Sequence, residues 1–310
     1  MNRQQKKNIR LIGMLTITFA FTMIYGLWNT GTKGGLQVDK SLFSLENTLN
    51  INKITINSAR ESGTLEYKGG RWILNDRYPA DPSKIHIFFA MVQHVRIRRP
   101  VAKELEPMIS NHLDTAGLKI KLYENEQEVL SYEVWGDNNQ SVTYFRDPGN
   151  NNIYQMELPG YRTYVYALIG SEIDAWRNSL VFSQMKWRNL AEIHISYPMS
   201  PEDNFKIVPD QGMFGIEGLQ ETDTTRLFDY IDHISLLRAD KFIYTSLPTE
   251  MKTDLKIELF DVGKNKTSLE IFSQNEPSGP AVGRLDSTDV MAFRREIIDG
   301  LYKTIDYFKK

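Results

Sequence analysis

The chain carries one order of sequence patterns twice, which restricts the fold to two similar units. The first copy begins with the alternating segment 51–56, and the second begins about 139 residues later at Ile193–Ile195. Leu118-Lys-Ile-Lys-Leu122 returns as Leu255-Lys-Ile-Glu-Leu259, almost letter for letter. Matching apolar and turn positions at a fixed distance are typical of an internal repeat.

Each copy combines strand patterns with one helix pattern. In the first copy, period-two alternation around Gly69-Gly70 predicts a hairpin, and Asp81-Pro82 is a favourable start for an amphipathic helix. A meander of alternating segments follows. The sequence therefore predicts an α+β fold of two tandem, structurally similar units, whose small antiparallel sheets are each covered by a helix.

The same patterns divide the chain into segments. A last helix is predicted from about Ser287 to Phe308, with Asp286–Asp289 as its N-terminal cap. In chain order we predict a basic flank at 1–10, a membrane-spanning segment at 11–28, a flexible tether at 29–42, the first unit at 43–160, a linker helix region at 161–186, and the second unit with its C-terminal helix at 187–310.

Residues 11–28 form an apolar run without a charged side chain. A helix of about 18 apolar residues can just cross a bilayer, so we predict a single-pass anchor. Its expected lipid-facing residues are Leu11, Ile12, Leu15, Phe19, Phe21, Ile24, Tyr25 and Trp28. The basic residues that precede the run should keep the N-terminus cytoplasmic and place the rest of the chain outside. They are Arg3, Lys6, Lys7 and Arg10.

A cleaved signal peptide is the competing interpretation of this run. The exit at 29–35 contains no convincing small-x-small cleavage site, which favours an uncleaved anchor.

Composition excludes several classes of protein. The net charge is −2, and about −6 beyond the basic flank, which argues against a nucleic-acid partner. The chain has no cysteine, so disulfides, thiol catalysis and thiolate metal sites are excluded.

The organisation resembles the bacterial family catalogued as domain of unknown function 4340. The resemblance is carried by the anchor, the segments Gly70-Arg-Trp72 and Trp135-Gly-Asp137, and Trp176-Arg-Asn-Ser-Leu180 between the units. It covers residues 1–310. It implies a single-pass inner-membrane protein with its bulk in the periplasm. It also implies association with auxiliary components of ABC transporters of the gliding-motility kind. The resemblance defines no catalytic residue.

No constellation of residues points to catalysis. The chain lacks a Gly-x-Ser-x-Gly elbow, a His-Glu-x-x-His motif, a Walker loop and a Gly-x-Gly-x-x-Gly segment. The five histidines do not have metal-ligand spacing. We therefore predict no enzyme, no cofactor and no metal site.

Two groups of side chains are candidates for an interaction surface. Arg96, Arg98 and Arg99 could contact anionic lipid or an acidic partner, although a solvated helix end explains them more simply. Tyr154, Tyr161, Tyr164 and Tyr166 suit either an interface or the joint between the two units, and we favour the joint.

These observations favour a non-catalytic periplasmic subunit that scaffolds an envelope complex, with the bilayer and other envelope proteins as partners. The alternative is a periplasmic small-ligand sensor or enzyme with a pocket between the units.

Overall fold

The structure is a computed structural model that describes residues 13–25, 38–170, 172–245, 251–273 and 279–310. It contains two antiparallel sheets and few helices, which confirms the predicted α+β class. The sheets have nine and eight strands, so they are larger than the sequence suggested.

The first sheet has the strand order β4-β3-β2-β1-β6-β7-β8-β9-β5. Its strands are β1 (Lys53–Asn57), β2 (Ser62–Lys68), β3 (Arg71–Leu74), β4 (Tyr78–Pro79), β5 (Arg96–Pro100), β6 (Leu118–Glu124), β7 (Gln127–Gly136), β8 (Thr143–Arg146) and β9 (Ile153–Glu157). The predicted hairpin joins β2 to β3. Gly69 and Gly70 have φ of 59° and 83° there, a left-handed pair that a two-residue hairpin turn requires.

The second sheet has the order β12-β11-β10-β14-β15-β16-β17-β13. Its strands are β10 (Leu190–Ser196), β11 (Phe205–Asp210), β12 (Met213–Ile216), β13 (Lys241–Ile243), β14 (Thr253–Asp261), β15 (Lys266–Phe272), β16 (Ala281–Leu285) and β17 (Asp289–Phe293).

The helices have between five and thirteen described residues. They are α1 (residues 13–25), α2 (Pro82–His94), α3 (Glu106–Ala116), α4 (Val165–Ile169), α5 (Thr224–Ser235) and α6 (Arg295–Asp299). Single 3₁₀ turns lie at Ile173–Trp176, Trp187–Asn189, Pro201–Asp203 and Ile305–Phe308. Asp81 caps α2 as predicted, because its carboxylate accepts the Ser83 N–H at 2.8 Å.

Eight strands follow the same order in both sheets. The series β3-β2-β1-β6-β7-β8-β9-β5 corresponds to β12-β11-β10-β14-β15-β16-β17-β13. The helices α2 and α5 occupy the same place in the two series, between β4 and β5 and between β12 and β13. We call β1–β9 with α2–α4 the first unit, and β10–β17 with α5 and α6 the second unit.

Each unit has its own core on the helix-covered face of its sheet. Phe88 and Val92 of α2 pack with Ile54 of β1, and Leu227 of α5 packs with Ile193 of β10. The helix α3 covers the opposite face of the first sheet, where Ile109 packs with Trp135. Trp135 follows Val134 of the main core, and consecutive strand residues point to opposite faces.

The predicted C-terminal helix is wrong. Asp286 and Ser287 have φ of 46° and 64° and form a hairpin turn, and β17 then pairs with β16. After β17, only α6 and the 3₁₀ turn Ile305–Phe308 are helical. The helical spacing of the apolar residues was misleading because Met291 and Phe293, on one face of β17, also fill the core.

The predicted linker helix is also wrong as a continuous element. The helix α4 ends at Gly170, whose φ of 81° breaks it, and a separate 3₁₀ turn follows at Ile173–Trp176. The strands β5 and β9 and the helix α3 were not predicted.

The predicted tether is described from residue 38 onward. Val38 packs against the first core, and the Lys40 carbonyl accepts the Ile97 N–H of β5 at 3.0 Å. This end of the tether is therefore part of the first unit.

The predicted membrane-spanning segment is described only at 13–25, where it is helical. Among the described residues, no helix is both long and apolar enough to cross a bilayer. Leu11, Ile12 and Trp28 lie outside the described residues, as do Arg3, Lys6, Lys7 and Arg10.

Candidate functional site at the junction of the two units

The chain passes from the first unit to the second at Asn178 and Ser179. On the first side, the Asn178 N–H donates to the Pro79 carbonyl at 2.8 Å, and the Asp81 N–H donates to the Trp176 carbonyl at 2.9 Å. On the second side, the Ser179 carbonyl accepts the Ala239 N–H at 2.8 Å. Backbone hydrogen bonds thus fix the crossing to both units within a few residues.

Arg177 lies at the centre of this junction and is 7% exposed. Its guanidinium carbon is 3.5 Å from the centre of the Tyr78 ring and 3.7 Å from that of Phe242. Tyr78 belongs to the first sheet, and Phe242 belongs to β13 of the second. The guanidinium is therefore stacked between aromatic rings of the two units, an arrangement that stabilises a desolvated cation.

Asp289 supplies the negative charge at the junction. Its carboxylate lies 3.1 Å from Arg177 and 3.0 Å from Arg77, both of which come from the first-unit side. It stands at the start of β17, directly after the hairpin turn, and its carboxylate contacts residues of the first-unit side. A buried arginine needs such a partner, because an unpaired buried charge is strongly unfavourable.

A second polar contact joins the units beside this pair. The Tyr244 hydroxyl donates to the Asp174 carboxylate and lies 3.4 Å from Arg177 Nη1. Burial and the neighbouring Asp174 charge raise the pKa of Tyr244 to about 12, so the hydroxyl stays protonated as a donor.

Trp176 anchors the crossing in the first core. It is fully buried and meets Phe88 edge-on with ring centres 5.1 Å apart. The Lys84 ammonium lies 5.2 Å from the Trp176 ring, and burial lowers the pKa of this lysine. Among the described residues, the indole N–H of Trp176 has no hydrogen-bond partner.

Two depressions flank the Arg177–Asp289 pair. One has a volume of about 190 Å³ and is lined by Asn178, Gln184 and Met291, among others. The other has about 340 Å³ and is lined by Arg77, Tyr244 and neighbouring residues. The charged groups between them are paired with one another. The junction can thus hold two units together.

The described part of the chain contains no group of three or more histidine, aspartate or glutamate side chains placed to hold a metal. His112 stacks flat on Trp135 with ring centres 4.4 Å apart, and the imidazole of His233 contacts the Ile297 carbonyl at 2.7 Å. These histidines pack within the fold.

The four predicted tyrosines lie in the first unit, and the structure does not bring them to the joint. Tyr154 is 6% exposed and packs on Phe43 in the core, so it is not a surface residue. The Tyr164 hydroxyl donates to the Asp137 carbonyl at 3.0 Å, and Tyr166 packs beside it. Only Tyr161, at 72% exposed, is free to meet a partner.

The predicted arginines lie in the edge strand β5, directly after the C-terminal end of α2, and Arg96 Nη1 donates to the Gln93 carbonyl of that helix at 3.2 Å. Arg98 and Arg99 are exposed, whereas Arg96 is half-buried and donates to the Val95 carbonyl at 2.9 Å. This edge lies apart from the Arg177 junction, at the other end of the strand order from β4.

Sequence reasoning missed the junction pair. Arg177 was noticed only within the segment Trp176–Leu180, and Asp289 was interpreted as part of a helix cap. The sequence signal that could have found the pair was an arginine in the linker between the two copies, where side chains of both units are within reach.

Comparisons with protein-family models, curated proteins and solved structures find no match to this chain. The resemblance to domain of unknown function 4340 therefore stays a prediction.

Proposed function

We propose that this chain is a non-catalytic, single-pass inner-membrane protein whose duplicated periplasmic body scaffolds or couples components of an envelope complex. The complex would be of the transport, secretion or gliding-motility type that the family resemblance implies. The observation that carries the proposal is the apolar helical segment at the start of the chain.

The surface of α1 supports a lipid environment. Leu15, Phe19 and Phe21 are 73%, 66% and 71% exposed, and Ile24 and Tyr25 are also exposed. Such a continuous apolar surface is costly in water and favourable in hydrocarbon.

The threonine hydroxyls of α1 are compatible with a lipid environment. The Thr18 hydroxyl donates to the Met14 carbonyl at 2.8 Å, and the Thr22 hydroxyl donates to the Thr18 carbonyl at 3.0 Å. Polar groups satisfied within their own helix can lie in a bilayer without partners from elsewhere. We propose that the spanning helix covers 11–28, beyond its described part.

The junction supports a scaffolding role. Hydrogen bonds, stacked rings and an ion pair join the two units around Arg177, so they can present surfaces at a fixed mutual distance. We propose that the equal strand orders reflect duplication of one unit, which gives the body two similar faces for partners.

A pull-down from native membranes in mild detergent, with a C-terminal tag, tests the proposal. Membranes that contain the untagged chain are the control. We expect a stoichiometric assembly with other envelope proteins. Recovery of the chain alone with a bound small molecule would favour the alternative, a ligand sensor that uses the depressions at the junction.

A further inference from the structure

The edge strand β5 carries a basic surface beside the point where the chain enters the first unit. Lys40, Arg96, Arg98 and Arg99 make up this surface, which we call the basic edge. The Lys40 carbonyl accepts the Ile97 N–H of β5, so the entering chain runs along this strand.

A bulge in β5 exposes two arginines in succession. The pairing with β9 shifts register between Ile97 and Arg99, which leaves Arg98 as the extra residue. Ile97 is buried, while Arg98 and Arg99 both point away from the core. Without this irregularity, the alternation of strand side chains would turn Arg99 to the same face as the buried Ile97.

The arginines of the basic edge are only partly neutralised. Arg98 Nε lies 3.9 Å from the Glu157 carboxylate, and Arg99 donates to the neutral Gln155 amide at 2.8 Å. Asp39 is another acidic group close to the edge, and its pKa is lowered by hydrogen bonds from Ser41 and more weakly by Arg96. The edge thus keeps a positive charge on a body that is negative overall.

The chain itself limits how far this edge can lie from a bilayer that holds α1. Residue 25 ends the described part of α1, and residue 38 is already packed on the first unit. Thirteen residue steps span at most about 45 Å, whatever their conformation.

We propose that the basic edge docks on anionic lipid headgroups and orients the first unit with β5 toward the membrane. This inference rests on the proposed membrane anchor. Basic side chains near an anionic surface attract it within about one Debye length, while the net negative charge of the rest of the body favours a position away from it. The edge therefore selects one orientation of the body.

The test uses the full chain with a single cysteine, Leu42→Cys, which carries a fluorophore. Leu42 is 40% exposed and follows Lys40 closely. The protein is reconstituted in vesicles of phosphatidylcholine alone, or of phosphatidylcholine and phosphatidylglycerol in equal parts. Both contain a headgroup-labelled quencher lipid, and flotation first shows whether the chain is inserted.

We expect stronger quenching in the phosphatidylglycerol vesicles, and we expect high salt to abolish the difference. Arg98→Gln with Arg99→Gln should lower the ratio of docked to undocked molecules about tenfold or more. Arg60→Gln with Arg188→Gln removes the same charge at other exposed positions and should leave the quenching unchanged.

Equal quenching in both kinds of vesicle, or equal effects of the two double variants, would overturn the docking while leaving the anchor intact. Failure to float with either kind of vesicle would overturn the anchor and the docking together.

Discussion

Arg177, in the linker, and Asp289, the first residue of β17 in the second unit, form an ion pair of 3.1 Å. The two residues are far apart in the chain, and each comes from a segment whose backbone is fixed by its own unit. Their contact ties the linker to the second unit, so its loss should lower the free energy of unfolding.

Asp289→Asn should destabilise the protein by about 3 kcal/mol, because it leaves the buried Arg177 cation without its partner. Chemical denaturation of the detergent-solubilised full chain, followed by tryptophan fluorescence, measures this change. Asp299→Asn is the control, since Asp299 pairs with Arg295 at 3.7 Å on the surface and should contribute less than about 1 kcal/mol. Equal losses in the two variants would contradict the role given to Arg177.

Gly136→Ala should destabilise the first unit by about 1–3 kcal/mol through overpacking. A Cβ at this position would lie 1.8 Å from the Tyr164 hydroxyl and 2.7 Å from Tyr166 Cβ. The thermal midpoint of the purified variant reports the effect. Gly149→Ala, where the nearest atom is an Asp147 oxygen at 3.2 Å, should change the midpoint little. An unchanged midpoint for Gly136→Ala would show that the two tyrosines do not close over β7.

The free energy of unfolding should fall between pH 10 and pH 12. Burial raises the pKa of Tyr197 to about 12, and the unfolded phenol titrates near 10. Below pH 10 the Tyr197 phenol is protonated in both the folded and the unfolded state, so it does not change the free energy of unfolding. Above pH 10 the phenol ionises in the unfolded state first, which removes roughly 2–3 kcal/mol by pH 12.

Tyr197→Phe should make this alkaline loss shallower, although it also removes the hydrogen bonds to Lys303 at neutral pH. Denaturation curves at several alkaline pH values measure the slope. Tyr67→Phe, at a ring that is 52% exposed, should leave the slope as it is. A slope for Tyr197→Phe identical to that of the unsubstituted chain would contradict the burial assigned to this hydroxyl.

Phe19→Arg should move the chain from the integral to the extractable membrane fraction. A charged side chain near the middle of a spanning helix costs about 2.5–3.5 kcal/mol on insertion scales. Alkaline extraction of membranes measures the two fractions. Leu49→Arg, at a side chain that is 90% exposed in the first unit, is the matched control and should stay integral.

The sequence predicted what depends on local patterns and missed what depends on long-range packing. Alternation identified β1, β6 and β14, and the Gly69-Gly70 and Asp81-Pro82 signals located a hairpin and a helix start. These signals act over a few neighbouring residues, so they survive without knowledge of the rest of the fold.

The segment after Asp286 shows the limit of such reasoning. Val290, Phe293 and Ile297 have helical spacing, yet pairing with β16 decides the conformation up to Phe293. The arginines of β5 carry no clear strand signal either, since their pairing with β9 comes from more than fifty residues away. The junction was hidden for the same reason, because the partners of Arg177 lie on three separate segments, at Tyr78, at Phe242 with Tyr244, and at Asp289.

The absence of cysteine from the chain permits a direct test of the central claim, that the two units lie outside the cytoplasm behind one membrane-spanning helix. Single cysteines are introduced as Leu49→Cys and Val262→Cys, at side chains 90% and 72% exposed, and as Gln5→Cys before the apolar run. Intact spheroplasts are then treated with a membrane-impermeant maleimide. The account predicts labelling of the first two in intact spheroplasts and of Gln5→Cys only after lysis. Labelling of Leu49→Cys and Val262→Cys only after lysis would contradict it.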